Sequence, residues 1–393
     1  MWKLLRNILV ALLVINFMAS NVKSEENQDA TMLELLLSGT PVQASQFSAG
    51  FLNAVPFEQI NSILKNISGE IGAPVRIMPV GEEYEITTLT HVMRATIVLD
   101  DEGKIGGLFF RPPTPLDATL PDLLRPLEQV QGKTSYLILQ GESILAQKDA
   151  EVALAIGSAF KLAILKALQN EISTGNRKWD DVVLLTANLR SLPSGILQDF
   201  PDGAPITLHT LAALMISNSD NTATDMLLAL LGREKVALYL DNQFVLSTRE
   251  FFQLKDDREL AEIFANANQA TKLNISEQLK TRSLPSLDAG AVPYREGVEW
   301  YLSARALCEL IKSVRNLDIF QINPGLALRD QWESLAFKGG SELGVFNLTT
   351  WMRAKNGREY CVVITINDNS KLPEAEIASA YSIVLGHLAG LND

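Results

Sequence analysis

The chain has 393 residues, a formal charge of −12, 47% apolar residues and 20% charged residues. This balance supports large buried cores and excludes disordered and collagen-like chains. Its 34 lysines and arginines form no basic block against 46 acidic residues, so the positive cluster that nucleic-acid binding needs is missing and neither DNA nor RNA is an expected partner.

Residues 1–24 read as an export signal. Lys3 and Arg6 make a basic start, Ile8 to Met18 is apolar apart from Asn16, and Val22-Lys23-Ser24 places compact residues before a cut at Glu25. The apolar run is shorter than the roughly 20 residues that span a bilayer. No stable membrane insertion is expected once the signal is removed, and an uncleaved N-terminal anchor is the alternative. The expected location is exported, periplasmic or secreted. With only Cys308 and Cys361, neither a disulfide framework nor a cysteine-based zinc site can form. A single disulfide is possible there, but spacing alone does not say whether the two meet.

At about 100–200 residues per domain, two domains are the first expectation. Residues 25–111 read as a small α+β domain. Met32, Leu35 and Leu36, then Phe47, Phe51 and Val55, then Ile60, Ile63 and Leu64 recur at helical spacing over 30–70. From Pro74 to Phe110 the pattern becomes β-rich, and Asp100-Asp101-Glu102-Gly103 has hairpin-turn composition. Helices followed by an antiparallel meander give an α+β unit. Its histidine, His91, reads as a strand residue rather than a general base. Prolines 112, 113, 115, 121 and 126 predict a semi-rigid linker over 112–126.

Residues 127–393 read as a second domain. A hairpin is expected from Tyr136–Gln140 and Ser143–Ala146, followed by a largely helical stretch from Ser158 to Arg315. Strands return at Leu335–Phe346 and Glu359–Asn367, and a helix from Ala375 to Ala389 follows. Strands on both sides of a helical insertion imply an α/β domain with a mixed antiparallel sheet and a helical lobe.

The usual hydrolase signatures G-x-S-x-G and H-E-x-x-H do not occur. His91, His209 and His387 are scattered, so neither a Ser-His-Asp triad nor a metal site is supported, and no cofactor is expected. Ser158-Ala159-Phe160-Lys161 instead puts a hydroxyl and an amine one turn apart on one helix face. The amine can take the hydroxyl proton if its pKa is depressed. Alone the pattern means little, since Ser20…Lys23 and Ser62…Lys65 also match it. Two further elements, each present once, raise its specificity. Ser219-Asp220-Asn221 supplies a second hydroxyl for proton relay and an amide, with Asp220 read as structural. Lys338-Gly339-Gly340 supplies a second cation and a backbone that a substrate can approach.

In this order the three elements resemble the active-site segments of class A β-lactamases and related penicillin-recognising serine hydrolases. The likeness runs through Ala155 to Leu162, Met215 to Asp225 and Trp300 to Arg305, and spans about residues 130–393. It implies a β-lactamase/transpeptidase-like fold with Ser158 as acylated nucleophile, Lys161 as its base and Ser219 as relay. Lys338 would hold the site positive and Asn221 would orient substrate. Backbone N–H groups of Ser158 and Ser341 would form the oxyanion hole. The substrate implied is a β-lactam or a small ester. With an α+β domain in front, the whole is similar to the two-domain type of clavulanic-acid clusters, in which a steroid-isomerase-like domain comes first and esterase-type activity is implied.

The chain departs from that family in two places. It has no E-x-x-L-N, whose glutamate serves deacylation; Glu250 is the nearest candidate in the corresponding stretch, but Ser247-Thr248-Arg249-Glu250 also reads as a capping box, and that structural role is the favoured one. Gly339 stands where the family has Thr or Ser, removing a hydroxyl for substrate; Ser341 and Arg353 are the candidates to substitute, with a solvated surface arginine the favoured reading of Arg353. Two other readings follow: a penicillin-binding sensor or slow peptidoglycan peptidase, and a ligand-binding protein with a non-catalytic scaffold. Oligomeric state stays open.

Overall fold

A computed structural model describes residues 22–285 and 292–392. The export-signal segment therefore lies outside the described residues, apart from Val22 to Ser24. The chain divides into two compact units, one running to Leu123 with Ser382–His387 and the other formed by Leu124–Tyr381 with the residues from Leu388.

The first unit contains helices α1 (Val22–Leu37), α2 (Ala49–Ala54) and α3 (Phe57–Ile71). The apolar period spans all three, but the backbone does not. Gly39 adopts φ +77° after α1, and Pro56 starts α3, where a missing N–H is harmless. Ser48 caps α2 by accepting from Phe51 N at 3.2 Å. Strands β1 (Arg76–Val80), β2 (Glu83–Thr87), β3 (His91–Leu99) and β4 (Ile105–Phe110) form an antiparallel meander in that order, with β5 (Thr114–Pro115) beside β3. Gly103, at φ +72°, closes the β3–β4 turn. The alternation of Tyr84 and Ile86 on β2 supplies one side of a core shared with Leu33, Phe47, Ile60 and Leu64.

The proline-rich span 112–126, read as a linker, contains β5 and the start of α4 (Leu120–Glu128). Pro121 falls in the first turn, where no donor is required. Only Pro126 interrupts the interior, and Leu123, Leu124 and Leu127 are buried. Burial of one apolar face thus outweighs the lost hydrogen bond.

The second unit is built on a five-stranded antiparallel sheet. Its members are β6 (Lys133–Gln140), β7 (Ser143–Lys148) and, much later, β12 (Ser334–Glu342), β13 (Val345–Arg353) and β14 (Glu359–Asn367), in the order β12-β13-β14-β6-β7. Between them lie the short antiparallel pairs β8 (Leu154–Ala155) with β11 (Tyr301–Leu302) and β9 (Val182–Leu184) with β10 (Pro205–Thr207). The helices are α5 (Lys161–Ser173), α6 (Leu208–Ser217), α7 (Asn221–Leu231), α8 (Arg233–Ala237), α9 (Thr248–Asp256), α10 (Arg258–Ala265), α11 (Gln269–Leu279), α12 (Ala304–Val314) and α13 (Glu374–Gly390). This is the α/β domain with antiparallel sheet and helical lobe that the sequence implies. Leu335–Phe346, expected as one strand, is a hairpin, because Gly344 turns the chain at φ +88°. Leu162 to Leu165 and Leu168 are all fully buried, so α5 runs through the middle of this core. Cys308 of α12 and Cys361 of β14 are joined in a disulfide.

Candidate active site

Ser158 lies in a 3-10 turn, Gly157–Phe160, that leads into α5. Gly157 takes φ +49°, a conformation that strains residues with a Cβ. The turn is held from behind. Ile156 N donates to Trp300 O at 2.9 Å, and the Phe160 ring stacks on Trp300 with centroids 3.9 Å apart. Gly340 of β12 presses on it from the other side. A methyl there would sit 2.1 Å from Ile156 O and 2.6 Å from Ser158 N. A side chain at Gly157 would likewise lie 3.5 Å from Ser341 N. The amides of Ser158 and Ser341 thus flank one point of close backbone approach, as an oxyanion hole requires.

Lys161 opens α5 and is fully buried. Its Nζ donates to Ser219 O at 2.7 Å and Asn221 Oδ1 at 2.7 Å and lies 3.0 Å from Ser219 Oγ. Lys338 Nζ reaches the same Ser219 Oγ at 3.2 Å and Gly339 O at 2.6 Å. Burial, and next the charge of Lys338, holds the Lys161 amine well below the usual lysine range. Burial alone lowers Lys338 to about 7. Two amines and a hydroxyl therefore form one chain of proton carriers in a low-dielectric site. Ser158 is half-buried and makes no side-chain hydrogen bond among the described residues. Its hydroxyl stands clear of that network, one turn before Lys161.

The Ser219 loop is set by residues that carry no motif. Ser219 adopts φ +54°, a strained setting for a side chain that is typical of functional positions. Asp220 caps α7 by accepting from Ala223 N at 2.8 Å, and its other oxygen accepts from Ile196 N at 2.7 Å and Leu197 N at 3.0 Å. Ser194 Oγ donates to Ser219 O at 2.7 Å. Gly195 cannot carry a side chain, since its Cβ would fall 2.3 Å from Asp220 Cγ. Pro193-Ser194-Gly195 has turn composition in the sequence, but its pairing with Asp220 is invisible there.

Several sequence-predicted site residues take positions other than those implied. Asn221 is buried, with Oδ1 accepting from Lys161 and Nδ2 giving one of its two N–H groups to Leu192 O at 2.9 Å, so the amide is held at both ends by protein. Arg353 is not in the site. It sits opposite Ser334 in the β12–β13 register, four steps from the Lys338–Thr349 pair, and binds Glu333 at 3.3 Å. Four steps along a strand are about 13 Å. Ser341 is exposed, and its hydroxyl donates to Glu374 Oε1 at 2.7 Å. Glu250 completes the capping box with Ser247, and is bound by Arg233 and by the Ser276 hydroxyl. The nearby buried acid is Asp225, which accepts from Thr248 N, Thr248 Oγ1 and Arg249 N at 2.7–2.9 Å and is pushed up to about 6 by burial. Among the described residues no cluster of three or more His, Cys, Asp or Glu has metal-binding geometry.

The family model described as "Beta-lactamase2: Beta-lactamase enzyme family" matches residues 116–382. The chain is similar to Beta-lactamase VEB-1 of Pseudomonas aeruginosa, at 28% identity over 122 residues. That match spans 26% of this chain and 41% of the relative, less than half of its length. Similar solved structures include a β-lactamase from Sphaerobacter thermophilus DSM 20745, at 19% identity and TM-score 0.49, covering 69% of this chain and 96% of that one. They also include PBP-A, at 16% identity and TM-score 0.47, covering 71% and 99%.

Proposed function

The chain belongs to the β-lactamase enzyme family, and from that premise we propose that it is an exported active-site-serine hydrolase that opens a β-lactam or cleaves a small ester through an acyl-enzyme. The observation that carries this reading is the buried amine–hydroxyl–amine chain Lys161–Ser219–Lys338 placed one turn behind Ser158. Lys161, neutral because it is buried beside a second amine, takes the Ser158 proton as Oγ attacks the carbonyl carbon. The tetrahedral oxyanion is held by the amides of Ser158 and Ser341, each worth about 2.7–4 kcal/mol in such sites. Ser219 passes the proton from Lys161 to the departing nitrogen or oxygen as the carbonyl reforms, leaving the acyl group on Ser158. Water then releases it.

An intact-mass time course with a penicillin, run beside Ser158→Ala, tests this. A Ser158-dependent adduct supports the acyl-enzyme, and an adduct of equal size in both proteins refutes it.

A second reading is a penicillin-binding sensor or slow peptidoglycan peptidase, in which the adduct persists. It is favoured by the engagement of Glu250 in its capping box, ion pair and hydroxyl contact, which gives both carboxylate oxygens protein partners. The adduct's lifetime separates the two. Export rests on the basic start and apolar run of residues 1–24. The steroid-isomerase-like reading of the first domain rests on its order of helices followed by a four-stranded meander.

A further inference from the structure

β12 presents its residues alternately to two faces. Lys338 and Gly340 turn toward the buried amines and the nucleophile turn. Gly339 and Ser341 turn the other way, and Gly339 offers no side chain. The side chain that borders the oxyanion donors on this face is therefore the exposed hydroxyl of Ser341, and it is fastened to Glu374 Oε1 at 2.7 Å. The amide and hydroxyl of one serine lie roughly 3 Å apart by covalent geometry. Glu374 thus stands within about 6 Å of the amide that would hold the oxyanion.

Little offsets that negative charge. Glu374 has no ion-pair partner within 4.0 Å among the described residues; burial pushes its carboxyl somewhat up, and the Ser341 hydroxyl and Lys371 draw it down without forming an ion pair. Lys161 and Lys338 are buried on the opposite face, Lys255 is spent on Glu299 and Glu342, and Arg353 is paired with Glu333 at the far end of the strand.

Resting on the serine-hydrolase reading above, we propose that Glu374 is a specificity-determining residue that disfavours, by about tenfold, acyl donors bearing a negative charge next to the scissile carbonyl relative to neutral or cationic ones. The substrate class is then a neutral or cationic ester or amide, with an ammonium group able to sit against the Glu374 carboxylate. At this separation, with effective dielectric between protein rim and water, one charge shifts relative rates by about tenfold.

The test uses three p-nitrophenyl esters of matched size, one neutral, one carrying a trimethylammonium group and one carrying a carboxylate. Burst rates and Ser158 adduct masses are recorded for the intact protein. Cationic and neutral esters should acylate at least tenfold faster than the anionic one. Glu374→Gln should reduce that ratio to below threefold, and Glu374→Lys should invert it. Raising the ionic strength tenfold on the unmodified protein should compress the ratio in the same direction, a readout that needs no variant to fold. Acylation that proceeds with no charge preference, or a preference that survives both variants and salt, overturns the inference alone. No Ser158 adduct from any of the three esters overturns the serine-hydrolase reading and this inference with it.

Discussion

The hydroxyl of Ser219 lies 3.0 Å from Lys161 Nζ and 3.2 Å from Lys338 Nζ, so a single oxygen bridges two buried amines. Removing it breaks the only side-chain link between them among the described residues, while Ser219 O still accepts from Lys161 and Ser194. Ser219→Ala is expected to slow acylation of Ser158 by about 10²–10⁴-fold, the range of a lost proton-transfer group, as read from adduct formation by mass. Ser219→Gly should show the same kinetic loss with higher stability than the alanine variant, because φ +54° suits glycine. Equal rates in all three proteins would remove Ser219 from the relay.

Acylation requires Lys161 neutral and, in the proposed scheme, Lys338 charged. Burial sets Lys338 at about 7 and holds Lys161 well below its usual range. The rate should fall as pH rises through about 7 and Lys338 loses its proton. Lys338→Arg, whose charge persists, should move only the alkaline limb upward. Stability should move in the opposite sense to that limb. Between about pH 7 and the ordinary lysine value near 10.4, the unfolded chain binds more protons than the folded one at this site, so folding becomes more favourable as pH rises. Urea midpoints at pH 7 and pH 9 should therefore differ less in Lys338→Met than in the parent.

The three motifs are legible in sequence because each is a local run whose chemistry depends on one turn or one strand. Ser158 to Lys161, Ser219 to Asn221 and Lys338 to Gly340 need only be brought together, and Lys161, Ser219, Asn221 and Lys338 do meet. What escapes the sequence is pairing between distant loops. Asp220 with Ile196, Asp225 with Thr248 and Ser341 with Glu374 are joined across 24, 23 and 33 residues, and no periodicity encodes them. Arg353 fails as a substrate group for a related reason. Strand alternation can assign a face, but only the register opposite Ser334 gives its distance from Lys338. In the first unit the helical period carries through Gly39 and Pro56, which break the helix without breaking the pattern.

At Gly340 the backbone of β12 lies against the nucleophile turn with no room for a side chain. Gly340→Ala places a methyl 2.1 Å from Ile156 O and 2.6 Å from Ser158 N, atoms of backbone that have no rotamer with which to yield. The strand must retreat, and the Ser341 amide retreats with it. Acylation should fall by 10²–10³-fold, the range seen when one oxyanion donor is lost, with a stability loss of about 1–3 kcal/mol from overpacking. The measurement is burst rate alongside thermal midpoint, and a variant that folds normally and acylates at the parent rate would show that this contact does not set the site.

Lys255 is buried between Glu299, at 3.3 Å, and Glu342, the residue after Ser341. Burial and the neighbouring Glu342 push Glu299 well above the carboxylate range, which favours its protonated form, and the negative charge that faces the lysine is that of the Lys255–Glu342 ion pair. Lys255→Met removes the cation and leaves that charge buried without a partner, which typically costs about 3–5 kcal/mol. Glu299→Gln keeps the shape of the protonated acid and should cost less than about 1 kcal/mol. Urea unfolding of both variants checks the ordering, and the reverse order would place the negative charge on Glu299 instead.

The disulfide ties α12 to the central strand β14 across 53 residues of sequence, a span that contains β12 and β13. Closing a loop of that length removes unfolded-state entropy equivalent to about 4 kcal/mol in the chain-entropy model. Both cysteines are nearly inaccessible, at 3% and 5% exposure, so a mild reductant should act only through unfolding. The double variant Cys308→Ala with Cys361→Ala is expected to lose about 3–4 kcal/mol in urea. Its rate of Ser158 acylation at 25 °C should stay at the parent value, because neither sulfur belongs to the hydrogen-bonded chain of Lys161, Ser219 and Lys338. A large fall in acylation by a fully folded double variant would mean that the crosslink holds β12 in register with the nucleophile turn, not merely the unfolded chain in check.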